Sequence, residues 1–599
     1  MRNVNLRYVT ETYDENGRLT NFSLHYPESF NWAYDVVDDI ALAEPDRPAM
    51  VWVNPEGEEH RFTFGDMKRW SDKCASFLTE QGIGKGDMVL VILRRHYQFW
   101  FTALALHKIG AVLVPATFML REHDLEYRLK AASIKAVVCT DAGSIADVVD
   151  AVHESGNCPE LKRRILVAAG GAGLSPEARD GHTTRDEHLS GPEHVCELTS
   201  DREGWVDFNS GVRAASEQWA RVETRIHEPM IMYFSSGTSG EPKMVLHNGT
   251  YALAHTATAK PWHCVVSDGG IHFTIADTGW GKAVWGKFYG QWTMEACVFT
   301  YDFDRFHAND ILSLIERYHI TTLCCPPTMY RLMMQADVDS YDLSSLVHCT
   351  TAGEALNPDL FDFWKAHTGL TIFEGFGQTE TPLTIANLVN STPKSGSMGK
   401  AVPLYDLRIL RDDGTECDDG ETGEICIAYD PANPPDGIMM GYYRNPEKTG
   451  EAIRDGWYHT GDTAWRDEDD YLWYVGRNDD VIKSSGYRIG PTELESVLLT
   501  HEAVRECAVT GVPDPIRGFA VKATIVLHEG FVGTDELTRE LQQFVKRETA
   551  PYKYPRVIDY VPELPKTVNG KIRRVAIRKR DMEAAGHTVS VSTKLDGLV

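Results

Sequence analysis

Residues 231–247 read Ile-Met-Tyr-Phe-Ser-Ser-Gly-Thr-Ser-Gly-Glu-Pro-Lys-Met-Val-Leu-His. An apolar run of strand character breaks into a loop of hydroxyls and glycines that closes on a lysine. Glycines let backbone N–H groups approach an anion closely. Ser235, Ser236, Thr238 and Ser239 add hydroxyl donors, and Lys243 brings mobile positive charge. The stretch predicts a phosphate cradle fed by a buried strand. It is not a Walker A loop, because Gly237 and Gly240 stand too close together and Met244, not Ser or Thr, follows the lysine. P-loop ATPases and GTPases are therefore disfavoured.

Upstream of this loop, the β-branched runs Met88–Leu93, Ala111–Pro115 and Ala136–Cys139 alternate with the amphipathic helix-length segments Phe64–Gln81 and Glu122–Ala132. That alternation predicts an α/β fold with mostly parallel strands. The most apolar stretch, Phe99–Leu120, is interrupted by His107-Lys108-Ile109-Gly110. It reads as a buried helix followed by a strand, not as a membrane span. Residues 170–204 are polar, without periodicity, and read as a surface loop or insertion. Within it, Gly171-Ala-Gly173 hints at a dinucleotide fingerprint, but Pro176 occupies the third-glycine position.

After Arg477 the pattern changes to a smaller α+β unit. It has strand-like runs at Cys507–Val512 and Ala520–Leu527 and a helix over Asp535–Lys546. The expected organisation is a large multi-subdomain amino-terminal domain over 1–476 with mixed and parallel sheets. A small mobile carboxy-terminal domain over 477–585 and a flexible tail over 586–599 follow it.

A chain of 599 residues is too long for one core. Its 42% hydrophobic and 25% charged content is ordinary for a globular protein. With 60 basic against 87 acidic residues the formal charge is −27, which argues against a nucleic-acid backbone or an anionic membrane as main partner. Local positive sites must then hold any anionic substrate. The 12 cysteines form no C-x-x-C pair, and Cys324 and Cys325 are adjacent, so neither a zinc site nor a disulfide framework is indicated. The amino terminus lacks an apolar signal core and carries Glu11 and Asp14 early, which predicts a cytoplasmic location.

The loop Ser235–Lys243 resembles the signature of the adenylate-forming superfamily of acyl-CoA synthetases, nonribosomal adenylation domains and luciferases. Six further stretches match that family's motifs in its order. They are Thr351-Ala-Gly-Glu-Ala355, Gly375-Phe-Gly-Gln-Thr-Glu380, Tyr458-His-Thr-Gly-Asp462, Gly476-Arg-Asn-Asp-Asp480, Ser485-Gly-Tyr-Arg-Ile-Gly-Pro491 and Pro565-Lys-Thr-Val-Asn-Gly-Lys571. Asp277-Thr-Gly-Trp280 and Thr549–Arg556 are most similar to medium-chain acyl-CoA synthetases.

The resemblance implies an ATP-dependent, AMP-forming ligase that makes an acyl-AMP and passes the acyl group to coenzyme A. It implies that Ser235, Ser236, Gly237, Thr238, Ser239, Gly240 and Lys243 wrap the β- and γ-phosphates. The same resemblance implies that Glu380 holds Mg²⁺ with Thr238, helped by Thr379. Gly353, Glu354, Glu374, Gly375 and Phe376 surround adenine beside Gln378, and Phe376 stands where many relatives have Tyr, which costs a hydroxyl and no stacking face. Asp462 takes the ribose hydroxyls with Arg477 nearby, and Arg488 contacts phosphate. Lys571 bridges carboxylate and α-phosphate during adenylation.

The resemblance further implies that rotation about a hinge at Asp479 then withdraws Lys571 and brings Ser484, Ser485, Gly486 and Tyr487 over the adenylate, with Gly486 lining the pantetheine tunnel and Arg517 on the CoA nucleotide. The thiol attacks a preformed anhydride, so no cysteine nucleophile is needed. Gly377, where acetyl-CoA synthetases carry Trp, implies an open acyl pocket for a medium-chain or aryl acid, walled by Gly279, Trp280, Trp285, Pro382 and Leu383. The competing readings are a short- or branched-chain synthetase, an adenylating ligase that delivers to a carrier protein, and a noncatalytic nucleotide-binding protein. Retention of Lys571, Glu380 and Asp462 argues against the last, and Arg517 and Gly486 argue against the carrier reading.

Overall fold

The computed structural model describes residues 3–169, 191–235, 241–265, 269–354, 356, 358–484, 487–514, 517–550, 552–566 and 572–584. The chain folds as two compact units. The first comprises Met1–Ser235, Pro242–Asp406 and Tyr429–Glu451, the second Ser236–Glu241, Leu407–Ala428 and Ala452–Val599. The sequence reading puts 407–428 and 452–476 in the amino-terminal domain, whereas here they cluster with the carboxy-terminal segment. The fingerprint-like Gly171-Ala-Gly173, most of the 170–204 insertion and the 586–599 tail lie outside the described residues.

The first unit holds two large sheets. An eight-stranded sheet runs in the order Gly441–Tyr442, Lys243–Asn248, Pro229–Ser235, Val112–Pro115, Met88–Ile92, Ala136–Thr140, Arg163–Val167, Val206–Asp207. It is parallel from Pro229–Ser235 to Val206–Asp207, and the hairpin that carries Lys243 adds antiparallel pairs at one end. Every residue of Met88–Ile92 and Ala136–Thr140 is buried, as befits parallel strands covered on both faces.

A nine-stranded sheet runs Lys400–Ala401, Leu383–Ala386, Ile372–Gly377, His348–Ala352, Thr322–Cys324, Ile271–Thr274, Cys297–Tyr301, Pro48–Val53, Glu59–Thr63. Its members from Ile372–Gly377 to Pro48–Val53 pair in parallel. The α/β architecture read from the alternation is thus the one observed.

Helix formation follows local chemistry. Phe64–Glu80 starts with a reciprocal capping box, in which Thr63 Oγ1 accepts from Asp66 N and Asp66 accepts from Thr63 N. Such a cap is worth about 1 kcal/mol. The apolar Phe99–Leu120 stretch resolves into the fully buried helix Gln98–Ile109 and the strand Val112–Pro115. Gly110, at φ +80°, terminates that helix in the left-handed conformation a Cβ disfavours. Its one cation, Lys108, is paired with Asp38 at 2.8 Å and Asp72 at 2.6 Å, so the charge is not stranded in the core. No helix among the described residues is long and apolar enough to cross a membrane.

The second unit also has two sheets. In one, Leu407–Leu410, Gly423–Ala428, Trp457–Arg466 and Ile453–Arg454 lie side by side, and Leu472–Arg477 also pairs with Trp457–Arg466, all antiparallel. In the other, Tyr487–Ile489, Ile482–Ser484, Gly518–Leu527 and Val504–Asp514 are antiparallel, and Val557–Tyr560 adds a parallel edge. The two expected strands are longer than read and form one hairpin. Asp535–Glu548 is a helix whose Thr534 side chain accepts from Leu537 N. Leu537, Leu541 and Val545 bury its apolar stripe against Leu494, Val509 and Ile525.

Candidate active site

The hairpin that closes the hydroxyl loop puts Ser235 directly opposite Lys243. Ser236–Gly240, including Thr238, lie outside the described residues. Across the next strand pair, Val245 faces Tyr442, and that register decides the geometry around the lysine. Lys243 Nζ donates to Tyr442 Oη at 3.3 Å and lies 4.8 Å from its ring centroid, while Tyr442 O–H donates to Glu380 Oε1 at 3.0 Å. A phenol therefore bridges the predicted phosphate lysine and the predicted metal carboxylate. Tyr442 was not legible as a site residue, since its role depends on a pairing between distant strands.

The Gln378–Glu380 segment is fixed from several sides. Gln378 N donates to Thr381 Oγ1 at 3.0 Å, and Met439 N donates to Glu380 O at 2.9 Å. His247 Nε2 donates to Thr379 O at 2.8 Å, and burial pushes the imidazole pKa down to about 4, so the ring holds this backbone as a neutral donor.

Glu374 and Gly375 sit on the buried strand Ile372–Gly377, opposite Thr351 and Ala352. Burial pushes the Glu374 carboxyl up to about 8, against the backbone N–H of Leu356, which favours its anion. Its Oε2 has no hydrogen-bond partner among the described residues. Phe376 is half-buried, and Gly353 and Glu354 are exposed. Gly353 takes φ +98°, and Glu354 Oε2 accepts from Thr328 Oγ1 at 2.9 Å.

The acyl-wall candidates divide. Gly279 is required as glycine, because a Cβ there would lie 2.4 Å from the carbonyl carbon of Ala116 and 2.5 Å from Thr117 N. Asp277 Oδ1 accepts from Gly279 N at 2.9 Å and shapes that turn. Trp280 is half-buried and precedes the helix Gly281–Lys287, and Leu383 is a core residue at 0% exposure. Pro382 is buried.

Gly377 differs from expectation. A Cβ at this position would lie 2.4 Å from the Trp285 ring and 2.4 Å from Pro382 O. The room the sequence reading gives to an open pocket at Gly377 is taken by Trp285, whose indole also packs edge-on to Trp262 with centroids 6.3 Å apart.

In the second unit, Asp462 is 3% exposed. Its Oδ1 accepts from Tyr474 O–H at 2.8 Å and lies 3.6 Å from Arg477 Nε. Burial first, then the Asp462 charge, raises the Tyr474 phenol well above its ordinary range, so it stays a donor. Asp479 lies 3.8 Å from Arg578 Nη2, and Arg578 also pairs with Asp480. Lys571 lies outside the described residues. Three positions later Arg574 opens the helix Arg574–Ala584 and forks onto Glu495, Nε to Oε1 at 2.9 Å and Nη2 to Oε2 at 2.5 Å. Ser484 is buried and pairs with Tyr487, and Arg488 pairs with Lys483 across the same hairpin. Ser485 and Gly486 lie outside the described residues. Arg517 N donates to Asp514 Oδ1 at 2.9 Å.

The first unit thus brings Lys243 and Glu380 together through Tyr442, and the second holds a buried Asp462 through Tyr474. The sequence pattern of the AMP-binding enzyme family matches residues 37–443, and that of the AMP-binding enzyme C-terminal domain matches residues 493–571. The chain belongs to the AMP-binding enzymes and, within them, to the acyl-CoA synthetases.

It is 42% identical over 564 residues to the mitochondrial acyl-coenzyme A synthetase ACSM5 of Mus musculus, covering 93% of this chain and 91% of that one. It is 40% identical to mitochondrial ACSM4 of Rattus norvegicus, covering 95% and 94%. Among solved structures it resembles an acyl-CoA synthetase from Brucella canis, with TM-score 0.66 and 31% identity over 93% of this chain and 95% of that one. It also resembles the anthranilate CoA ligase AuaEII in complex with anthranoyl-AMP, with TM-score 0.79 and 26% identity over 94% and 99%.

These relatives correct the cytoplasmic expectation, since the ACSM proteins are mitochondrial. The expectation leaned on Glu11 and Asp14. In the structure Glu11 lies in the strand Val9–Tyr13 and pairs with Lys260, and Asp14 caps the turn by accepting from Asn16 N and Arg18 N. Their acidity serves contacts within a folded hairpin and its surroundings.

Proposed function

We propose that this enzyme activates a medium-chain or aryl carboxylic acid in two steps. In the first, a carboxylate oxygen attacks the α-phosphorus of ATP and the bond to pyrophosphate breaks, leaving an acyl-AMP. In the second, the CoA thiolate attacks the acyl carbon, AMP departs with the bonding electron pair, and a thioester forms. Carboxylate and triphosphate repel one another, so preorganised cations and donors are the main source of acceleration. Ser235 through Gly240 donate to the β- and γ-phosphates, and Lys243, held over Tyr442, supplies mobile charge.

Glu380 and Tyr442 offer an all-oxygen donor set, which suits a hard Mg²⁺ ion, with Thr238 as a further oxygen ligand. When bound, the ion neutralises phosphate charge. Asp462 orients the ribose, supported by Tyr474 and Arg477, while Gly353, Glu354, Glu374, Gly375, Phe376 and Gln378 frame adenine. Lys571 pairs with the carboxylate and α-phosphate in the first step, with Arg488 on phosphate. A hinge at Asp479 within 477–480 exchanges that loop for Ser484, Ser485, Gly486 and Tyr487, with Arg517 on CoA.

The observation that carries the reading is the Lys243–Tyr442–Glu380 line, because it joins the two motifs an adenylating site needs through a residue neither motif contains. Trp280 and Trp285 favour an acid with an apolar or aromatic body, and the anthranoyl-AMP held by AuaEII is of that kind. A pyrophosphate-release screen over aliphatic acids from acetate to dodecanoate and over aromatic acids, with and without CoA, tests it. Release with the longer or aromatic acids that CoA turns into steady turnover supports the proposal. Strict dependence on acetate, or on a carrier protein in place of CoA, contradicts it.

A further inference from the structure

We propose that Glu424 is a positioning residue for the nucleotide: through the backbone N–H of Gly461 it sets the bulge that presents Asp462. This rests on Asp462 being the ribose ligand. Glu424 lies on Gly423–Ala428, outside every stretch singled out from the sequence. Along its pairing with Trp457–Arg466, Cys426 faces His459 but Glu424 faces Thr463. Two steps on one strand thus answer four on the other, and the extra length bulges out at Thr460-Gly461-Asp462.

Bulged backbone loses ladder partners and must find others. Thr460 Oγ1 donates to Ile425 O at 2.7 Å, and Asp462 N donates to Thr460 Oγ1 at 3.1 Å. Gly461, at φ +72°, turns its N–H onto Glu424 Oε1 at 2.9 Å. The other carboxylate oxygen, Oε2, accepts from His459 Nδ1 at 3.0 Å, so both oxygens of Glu424 are tethered. Asp462 is then fixed from its backbone by this bulge and from its carboxylate by Tyr474.

The neighbouring Cys426 thiol, 3.4 Å from His459 Nδ1, does not form a relay with this pair, because thiol and carboxylate converge on one ring nitrogen while Nε2 is buried without a partner among the described residues. Burial raises that thiol well above the ordinary range, which leaves it an apolar filler of the same face.

A carboxylate that accepts from two adjacent ribose hydroxyls loses both bonds if its backbone swings by an ångström, whereas loss of a remote support leaves the chemistry of the reacting atoms intact. The readout is the ratio of kcat/KM for ATP to that for 2′,3′-dideoxy-ATP in acyl-AMP formation, with melting temperature measured alongside. Wild type should show a large ratio, and Asp462→Ala should bring it near unity. Glu424→Ala should reduce it by about tenfold or more through KM for ATP, with kcat changed less than about threefold. Glu424→Gln keeps an acceptor for Gly461 N–H and should restore most of the ratio. Should Glu424→Ala fail to fold, Glu424→Asp, one methylene too short to reach Gly461, carries the same expectation. A wild-type enzyme that ignores the ribose hydroxyls, or an Asp462→Ala variant with an unchanged ratio, overturns the ribose assignment itself. An Asp462→Ala variant that loses the ratio beside folded Glu424→Ala or Glu424→Asp variants that keep it overturns the positioning role alone.

Discussion

Trp285→Ala should lengthen the acids this enzyme prefers. The indole fills the space in front of Gly377 that a side chain would otherwise claim, at 2.4 Å from the site of a Cβ. Truncation removes a bicyclic ring in exchange for a methyl, which makes room for roughly three methylenes of a longer acid at about 0.8 kcal/mol each, or about 2.4 kcal/mol at full burial. Water and relaxed neighbours, among them Trp262 and His255, take back part of that gain. An increase of about tenfold in the kcat/KM ratio of decanoate to hexanoate is therefore expected, near 1.4 kcal/mol.

The cost falls on stability. A buried Trp-to-Ala change destabilises by about 3–5 kcal/mol, so the assay belongs well below the melting temperature, with folding checked by circular dichroism. The measurement is pyrophosphate release across a homologous series of straight-chain acids. The opposite change, Gly377→Ala, pushes a methyl into Trp285 and Pro382 O and should cost about 1–3 kcal/mol by overpacking without moving the chain-length optimum. A folded Trp285→Ala enzyme with the wild-type chain-length profile would refute the placement of the acyl chain beside this ring.

Three further outcomes are expected. Tyr442→Phe removes the hydroxyl between Lys243 and Glu380; loss of the hydrogen bond that orients Glu380, worth about 1.5–3 kcal/mol, should slow acyl-AMP formation by about 10- to 100-fold while sparing transfer from supplied acyl-AMP; equal loss of both steps contradicts it. The Glu374 carboxyl, raised to about 8 by burial, holds its proton longer in the folded than in the unfolded chain, so its contribution to stability is full below about pH 4.5 and is lost as pH rises toward 8. Glu374→Gln should flatten the melting-temperature profile between those values, and at pH 8 the variant should be the more stable by a few kcal/mol; parallel profiles would refute a buried neutral acid. Lys571→Ala should abolish acyl-AMP formation while largely sparing thioester formation from supplied acyl-AMP, and comparable loss in both half-reactions would remove the lysine from its assigned step.

Local sequence carried the architecture well where one segment decides its own fate. The β-branched runs became buried parallel strands, and Phe99–Leu120 became helix and strand, because continuous apolarity and Gly110 leave few alternatives. Glu380, Lys243 and Asp462 could be proposed from the sequence because each sits in a compact motif. What pairing between remote strands decides was not legible. Tyr442 reaches Lys243 only through the Val245–Tyr442 register, and Glu424 reaches Gly461 only through a bulge. Gly377 misled for the same reason: a missing side chain shows that space is needed there, not whether ligand or Trp285 occupies it. The acidic residues of the first hairpin were read as arguing for a cytoplasmic location, whereas in the fold Glu11 pairs with Lys260 and Asp14 holds a turn.

The bond that breaks in ATP is the centre of this account, and oxygen isotope transfer observes it directly. The enzyme would be run to completion with ATP, CoA and octanoate or benzoate carrying oxygen-18 in both carboxylate positions, and the nucleotide products weighed by mass spectrometry. AMP bearing one heavy oxygen, with unlabelled pyrophosphate, is the predicted result, because the carboxylate oxygen that attacks the α-phosphorus leaves with AMP when the thioester forms. Formation of ADP with labelled phosphate, or of AMP without label, would contradict an acyl-AMP intermediate.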